Sequence, residues 1–207
     1  ISRLVESRYP VLLFDRYFPE MRVNYVIINN EESSYKLVRH LIDKGFRKIA
    51  IITTNPHLLT MDMRREGYAN ALSDAHIRIN PDLYGEVTYV NYQENIYSTM
   101  DRIFSAVPDV DAFFFTTHIL AIEALRYFYD RGIDINDGNW GLACMHEDSL
   151  FRVLAPKMNI AHFPIEEIGS NAVRILLNQI RQSNDPEAGE YVPESKVLPC
   201  RMEFRDQ

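Results

Sequence analysis

Short, unbroken apolar runs alternate with amphipathic helical stripes along this chain. The run Ile49–Thr53 shows no polar alternation, which indicates a strand covered on both faces, as in a parallel sheet. A stripe at helical spacing precedes it, formed by Tyr35, Val38, Leu41 and Ile42. The alternation recurs around the strand-like runs YGEVTYV, DAFFFTT, WGLACM and IAHF. Repeated βαβ units with right-handed crossovers give this order, so the sequence predicts an α/β fold with doubly wound parallel sheets.

Residues that cap or interrupt helices support this interpretation. Asn30 is a candidate N-cap, and Gly45 stands where a helix ends in a left-handed residue. Gly67 lies inside a helical stripe, where glycine costs about 1 kcal/mol relative to alanine. We therefore expect close packing against a neighbour to require Gly67. The tail from Cys200 to Phe204 alternates and follows Pro199, which favours an edge strand.

Composition restricts the class of protein. The chain has 207 residues and a net charge of −7, which argues against it holding DNA by itself, because neutralising phosphates needs a surplus of Lys and Arg. No run reaches the roughly 18 apolar residues of a membrane span. Cys144 and Cys200 stand far apart without a CxxC neighbour, which favours free thiols in a reducing, cytoplasmic compartment over a disulfide.

Sequence signatures of catalysis are lacking. The chain has no GxGxxG, GxxxxGK[ST], GxSxG or HExxH motif, so we expect neither an enzyme nor a cofactor. The segment CMHEDS, together with His118, contains possible metal ligands, but its spacing does not suit tetrahedral coordination. The sequence predicts no metal site.

Polar residues follow several predicted strands, where open parallel sheets bind ligands. Asp15 comes after the apolar run Val11–Phe14, Thr117 and His118 follow DAFFFT, and His146 follows WGLACM. Each also has a structural interpretation: Asp15 as a turn or cap residue, Thr117 as an N-cap, and His146 as an exposed loop residue. Together they indicate a binding edge.

Arg64 lies on an apolar helical stripe one turn before Tyr68. A cation early in a helix opposes the helix dipole, so the guanidinium is predicted to point at a buried group or a ligand. A local ion pair with Asp62 or Glu66 is the alternative. The loop 54–62, which precedes Arg64, belongs to the same predicted edge.

Four motifs, in order, resemble those of one known family. They are PVLLFDRYFPEMRVNYVIINNEESSYKLVRHLIDKGFRKIAIIT, RREGYANALSDAHI, DAFFFTTHILAIEALRYFYDRGIDI and IAHFPIEEIGSNAVRILLNQI. The chain resembles the effector-binding core of the lactose-repressor/galactose-repressor transcriptional regulators over essentially its whole length.

The resemblance implies two periplasmic-binding-protein-like lobes with a small molecule in the cleft between them. It implies an incomplete N-terminal lobe, 1–29 plus 162–188, and a C-terminal lobe, 30–161 plus 189–207. It also implies a homodimer that binds operator DNA through a helix-turn-helix outside this chain. An exported solute-binding protein or receptor ectodomain is the alternative, and a signal peptide upstream would identify it.

Three effector contacts follow from the resemblance. Asp15 matches the acid that accepts hydrogen bonds from sugar hydroxyls, and Arg64 matches the arginine that donates to them. Tyr92 falls near an aromatic platform.

Three departures from the family pattern alter the predicted ligand. Thr117-His118 replaces an Asn-Asp pair, His146 replaces a carboxylate, and Phe163 replaces a glutamine. These changes remove much of the usual polyol hydrogen bonding. The implied effector is a sugar, sugar phosphate or sugar acid, or a more aromatic molecule, and the two histidines could bind a phosphate or carboxylate and make binding sensitive to pH.

Overall fold

The computed structural model describes residues 1–7, 9–54, 58–88, 90–184, 187, 189 and 191–205. These residues form two compact units. Unit 1 consists of Ile1–Asn29 and Pro164–Cys200, and unit 2 consists of Asn30–Phe163 and the residues from Arg201 onward.

Unit 1 is a small parallel sheet with one long helix. Its strands have the order β1-β2-β8, and all neighbours are parallel. Helix α7 packs on the sheet through Ile175, which is fully buried with Val26 and Leu198. The elements of unit 1 are α1 (Ser2–Glu6), β1 (Leu12–Phe14), β2 (Asn24–Ile28), α7 (Ile165–Ser183) and β8 (Ser195–Leu198).

Unit 2 is a six-stranded sheet with helices on both faces. Its strand order is β4-β3-β5-β6-β7-β9, and every neighbouring pair is parallel except β7–β9. This order confirms the predicted doubly wound α/β fold. The elements are α2 (Asn30–Asp43), β3 (Ile49–Thr54), α3 (Leu59–Asp74), β4 (Tyr84–Val87), α4 (Tyr92–Ala106), β5 (Ala112–Phe115), α5 (His118–Asp130), β6 (Gly141–Met145), α6 (Phe151–Leu154), β7 (Asn159–His162) and β9 (Arg201–Glu203), with a 3-10 turn at Pro81–Leu83.

The central strands of unit 2 are buried on both sides, as their unbroken apolar runs predict. Phe113 and Phe115 point into a core that α4 and α5 cover. Phe114, between them, faces the other way and stacks on Tyr68 of α3, with ring centroids 6.4 Å apart. Because successive side chains of a strand point to opposite faces, the runs without polar residues are the ones with helices above and below them.

The structure corrects the predicted lobe boundaries at the C-terminal segment. Residues 189–207 were expected in the C-terminal lobe, but β8 pairs with β2 in unit 1. Only β9 joins unit 2, as an antiparallel edge strand beside β7. Pro199 and Cys200 separate the two strands. The tail is therefore two strands in two sheets, and the edge strand predicted from the alternation of Cys200 to Phe204 is confirmed as β9.

The predicted role of Asn30 is also corrected. Asn30 is the first residue of α2 rather than a cap before it, and it is fully buried. Its side chain accepts a hydrogen bond from Arg64, so a short polar residue is required there for a tertiary contact.

Two glycines behave as the sequence predicts. Gly45 has φ +105°, the left-handed conformation that ends α2. A β-carbon built at Gly67 would lie 2.2 Å from the backbone oxygen of Glu31, so α3 approaches the backbone of α2 directly.

Two further sequence expectations can be compared with the described residues. Cys144 and Cys200 are both free thiols, and burial raises the pKa of Cys144. None of the described helices is both long and apolar enough to span a bilayer.

Candidate functional site at the carboxyl edge of the six-stranded sheet

Strands β3 and β5 are neighbours whose following helices lie on opposite faces of the unit 2 sheet. Helix α3, after β3, packs with α2, and helix α5, after β5, packs with α4. This arrangement creates a topological switch point, where open α/β sheets leave a crevice beyond the strand ends. Of the connecting loop 54–62, residues 55–57 lie outside the described residues.

Arg64 lies at this switch point and is only 4% exposed. Its Nε donates to Oδ1 of Asn30 at 2.7 Å, and its Nη1 donates to the backbone oxygen of Thr116 at 2.6 Å. Its guanidinium carbon lies 5.5 Å from the ring centroid of Phe163. One side chain thus connects the start of α2, the end of β5 and the residue that follows β7.

The local ion pair considered as an alternative for Arg64 is formed by the next residue, Arg65. Asp62 forms a salt bridge with Arg65, which also donates a 3.2 Å hydrogen bond to the Tyr84 hydroxyl. Helix α3 begins at Leu59, so Arg64 lies in its second turn and the predicted conflict with the helix dipole is weaker than its sequence position indicates. The prediction that its guanidinium points at a buried group is correct, and that group includes a backbone carbonyl.

Three aromatic side chains form a contiguous cluster beside Arg64. The ring centroids of His118 and His146 are 4.8 Å apart, and those of His146 and Phe163 are 4.7 Å apart in an edge-to-face arrangement. All three side chains are half-buried. The structure therefore brings together four of the predicted site residues: Arg64, His118, His146 and Phe163.

His146 has an unusual backbone and electrostatic environment for a loop residue. Its φ is +82°, and its backbone N–H donates to the oxygen of Ala161 at 3.1 Å, which holds the turn after β6 against β7. Burial, followed by the proximity of His118, lowers the pKa of His146, and the Glu147 backbone and Asp148 offset this only in part. At neutral pH His146 is therefore mainly uncharged, and the expected exposed loop residue is instead half-buried.

The remaining predicted residues have separate positions. Thr117 is the N-cap of α5, and its hydroxyl accepts from the backbone N–H of Leu120 at 3.5 Å. Tyr92 begins α4 and packs against the hydrophobic core of unit 2. Asp15 belongs to unit 1, where it is exposed, has φ +62° and lies 4.0 Å from Arg16. For Asp15, Tyr92 and Thr117, contact with an effector stays a prediction.

A network of charged side chains lies next to this cluster, and the sequence analysis did not predict it. Nδ1 of His162 lies 2.9 Å from Glu147, and its Nε2 lies 2.7 Å from Glu203. Arg205 donates to the other oxygen of Glu203 at 2.7 Å. Since Glu147 directly follows His146, this charged network fixes the turn that carries His146. The only sequence signal was a histidine at the end of the run IAHF.

The contribution of this charged network to the stability of the fold should depend on pH. The Arg205 guanidinium, together with His162, holds the pKa of Glu203 below its ordinary 4.5, although burial acts in the opposite direction. A carboxylate with a lowered folded-state pKa stabilises the fold above its unfolded-state pKa, and this contribution is lost as pH falls through the folded-state value. We expect Glu203→Gln to make the decline in unfolding free energy below about pH 4.5 shallower.

Urea denaturation at a series of pH values would measure this change. Glu66→Gln is the control, because Glu66 is exposed on α3 and has no hydrogen bond or ion pair to another described residue. An equal change in the acid slope for both variants would show that the contact of Glu203 with Arg205 and His162 does not stabilise the fold.

Comparison with known proteins agrees with this architecture. A family model described as a periplasmic binding protein-like domain matches residues 38–205. Among solved structures, the transcriptional regulator CelR in complex with cellobiose superposes with a TM-score of 0.84 at 23% identity, covering 98% of this chain and 60% of that one. The Cra transcriptional dual regulator of Pseudomonas putida in complex with fructose 1-phosphate gives 0.82 at 18% identity, covering 100% and 72%. At these identities the likeness shows the fold.

Curated relatives are transcriptional regulators by name. The ribose operon repressor of Haemophilus influenzae is 29% identical over 178 residues, which cover 85% of this chain and 52% of that protein. The repressor PurR of Aliivibrio fischeri is 26% identical over 182 residues, covering 86% and 52%. The chain spans about half the length of the curated relatives it matches. The resemblance to lactose-repressor/galactose-repressor effector domains is thus confirmed, and the chain belongs to the periplasmic binding protein-like domain family.

Proposed function

We propose that this chain is the effector-binding part of a bacterial transcriptional regulator, in which a small sugar-like or anionic metabolite changes DNA binding by the complete protein. Its relatives bear the names ribose operon repressor and transcriptional repressor PurR, and structural neighbours were solved with cellobiose, ribose or fructose 1-phosphate. Because bacterial operator DNA lies in the cytoplasm, we propose that the complete protein is cytoplasmic. Operator DNA would be contacted by a separate domain, because this chain has a net charge of −7.

The buried arginine at the switch point carries the proposal. Arg64 is fixed by Asn30 and Thr116, and its guanidinium lies over the ring of Phe163. A guanidinium held in this way has a fixed orientation, and its planar fork of donors suits hydroxyl, carboxylate or phosphate oxygens. We propose that it binds the effector at the carboxyl edge of the sheet, with Tyr92 as a further contact.

Regulation then follows from differential binding. An effector shifts a conformational equilibrium only by as much as it prefers one conformation, which typically amounts to about 1–3 kcal/mol. Arg64 contacts residues at the ends of three elements of unit 2. An effector that shifts the position of its guanidinium would therefore affect α2, β5 and the residue after β7 together. We propose a homodimer as the form that transmits this change.

A thermal-shift screen tests ligand binding. Sugars, sugar phosphates, sugar acids and nucleobases are added to the purified chain, and a ligand at about a hundred times its Kd should stabilise it by about 2.7 kcal/mol. We expect Arg64→Lys to lose most of the shift given by any hit, because an ammonium group lacks the planar fork. Arg65→Lys is the matched control, since Arg65 pairs with Asp62 on the same helix. A hit that stabilises both variants equally would place the ligand elsewhere.

A second experiment tests regulation. Chromatin immunoprecipitation of the complete gene product in its own host should recover discrete sites, whose occupancy changes when the hit compound is supplied. A complete gene product with a signal peptide that is found outside the cytoplasm would contradict the proposal and favour an exported solute-binding protein.

A further inference from the structure

The His118–His146 pair has hydrogen-bonding capacity that the described part of the chain leaves unused. Its ring centroids are 4.8 Å apart, yet no ion pair joins either imidazole to a described carboxylate. Nδ1 of His146 is buried and has no hydrogen-bond partner among the described residues. An unpartnered buried nitrogen atom costs free energy, so this nitrogen of His146, beside the ring of His118, indicates a ligand rather than a packing function.

The carboxylates nearest to the pair are committed to other groups. Glu147 bonds His162 at 2.9 Å and Arg152 at 3.3 Å. Asp148 accepts from the backbone N–H of Leu150 at 2.9 Å. Neither carboxylate forms an ion pair with His118 or His146, although the charge of Asp148 acts on His146 from nearby.

The other surroundings of the pair are electropositive. His118 is the first residue of the 13-residue helix α5, whose first turn presents unsatisfied N–H groups and the positive end of the helix dipole. The charge of Arg64 acts on His146 in the same direction as His118 does, since both lower its pKa. The charged groups near the pair are thus the Arg64 guanidinium from α3 and the engaged carboxylates of Glu147 and Asp148 from the turn after β6.

We propose that the His118–His146 pair is an anion subsite, which holds the phosphate or carboxylate group of the effector at the carboxyl edge of the six-stranded sheet. The subsite rests on the proposed effector function and specifies its ligand class. Arg64 and Phe163 contact the remainder of the molecule beside it, and a neutral polyol lacks the charge that this edge favours.

The subsite should take up a proton as it binds. An anion between the imidazoles favours their protonated forms in the bound state. The bound state then holds more protons than the free state, so affinity rises as pH falls. A neutral ligand would show the opposite trend, because protonation of the empty pair introduces unpaired charge.

Sulfate and acetate are suitable probes, because they represent a tetrahedral anion and a carboxylate and their charge stays constant over the pH range used. Binding to the chain is followed by histidine ring NMR signals at constant ionic strength against chloride. We expect the His118 and His146 signals to move with one or both probes, and apparent affinity to increase about tenfold from about pH 8 to about pH 6. A response to sulfate alone indicates a phosphate ligand, and a response to acetate alone indicates a sugar acid.

Matched variants isolate the pair. His146→Asn and His118→Gln should each abolish the remaining ring's response, whereas His76→Asn should leave it intact. His76 is exposed and, like His146, has a positive φ, here +56°, so the two asparagine variants share the same backbone requirement. Asparagine tolerates this conformation.

Three results would overturn the subsite: no movement of either ring signal, binding that is independent of pH, or equal responses in both variants and the unmodified chain. If a neutral sugar stabilises the chain through Arg64 while both anions fail, the proposed effector function stands and only the anion subsite is wrong. If no compound binds through Arg64 either, the effector function fails as well.

Discussion

Gly67→Ala is expected to lower the free energy of unfolding by about 3 kcal/mol, a large share of the stability of a single domain. The new methyl group would lie 2.2 Å from the backbone oxygen of Glu31, 2.8 Å from the backbone nitrogen of Tyr35 and 2.9 Å from Cβ of Ser34. Two of these atoms are backbone atoms of α2, so no side-chain rotation relieves the contact. Helices α2 and α3 would have to separate, and the hydrogen bond between Asn30 and Arg64 spans the same two helices.

Gly169→Ala is the matched control for this prediction. Gly169 also lies inside a helix, α7, but a β-carbon there meets no atom within 4 Å. Intrinsic helix propensity then dominates, and alanine should stabilise the chain by about 0.5–1 kcal/mol. Urea denaturation of both variants measures the two changes. Equal effects of the two substitutions would show that α2 and α3 do not pack as closely as the structure indicates.

Arg64→Met, in the absence of any ligand, should cost about 2–4 kcal/mol of unfolding free energy. The substitution keeps much of the side-chain volume but removes the donors to Asn30 and to the Thr116 oxygen, both fully buried residues. Buried acceptors that lose a charged donor bear the full cost of their desolvation. Arg64 is therefore expected to stabilise unit 2 as well as to bind the effector.

Arg65→Met separates this effect from a general loss of positive charge. Arg65 is partly exposed and bonds Asp62 and Tyr84 at the surface, where an ion pair contributes less than about 1 kcal/mol. Chemical denaturation should show a small loss for Arg65→Met and a large one for Arg64→Met. Similar losses would mean that the contacts of Arg64 with Asn30 and Thr116 do not support the fold. Ligand shifts of each variant should be measured against that variant's own baseline.

The parts of the fold that were predictable are those where one local pattern has one physical cause. β3 and β5 were predicted because strands buried on both faces contain no polar residue. β2, residues Asn24–Ile28, was not among the predicted strands. β9 was predicted as an edge strand but β8 was missed, since the residues between them bear no signal of which sheet each strand joins. That choice depends on partners such as Asn24 and His162, far away in the chain.

The site shows the same division between local and distant information. Arg64 was identifiable because a charged residue on an apolar stripe needs an explanation. Its partners were not, since one is a backbone oxygen and the other, Asn30, had a plausible role as a helix cap. The charged network around His162 includes Glu203, which lies 41 residues later in the sequence. No local pattern relates the two residues.

The pairing of β2 with β8 also determines the order in which the chain can fold as it leaves the ribosome. Asn24 accepts a hydrogen bond from the backbone of Glu194, 170 residues further along. The contiguous segment 30–163 contains five of the six strands of its sheet and can assemble while synthesis continues. β2 cannot pair with β8 until residues Ser195–Leu198 have been synthesised, so this pairing can form only after most of the unit 2 sheet.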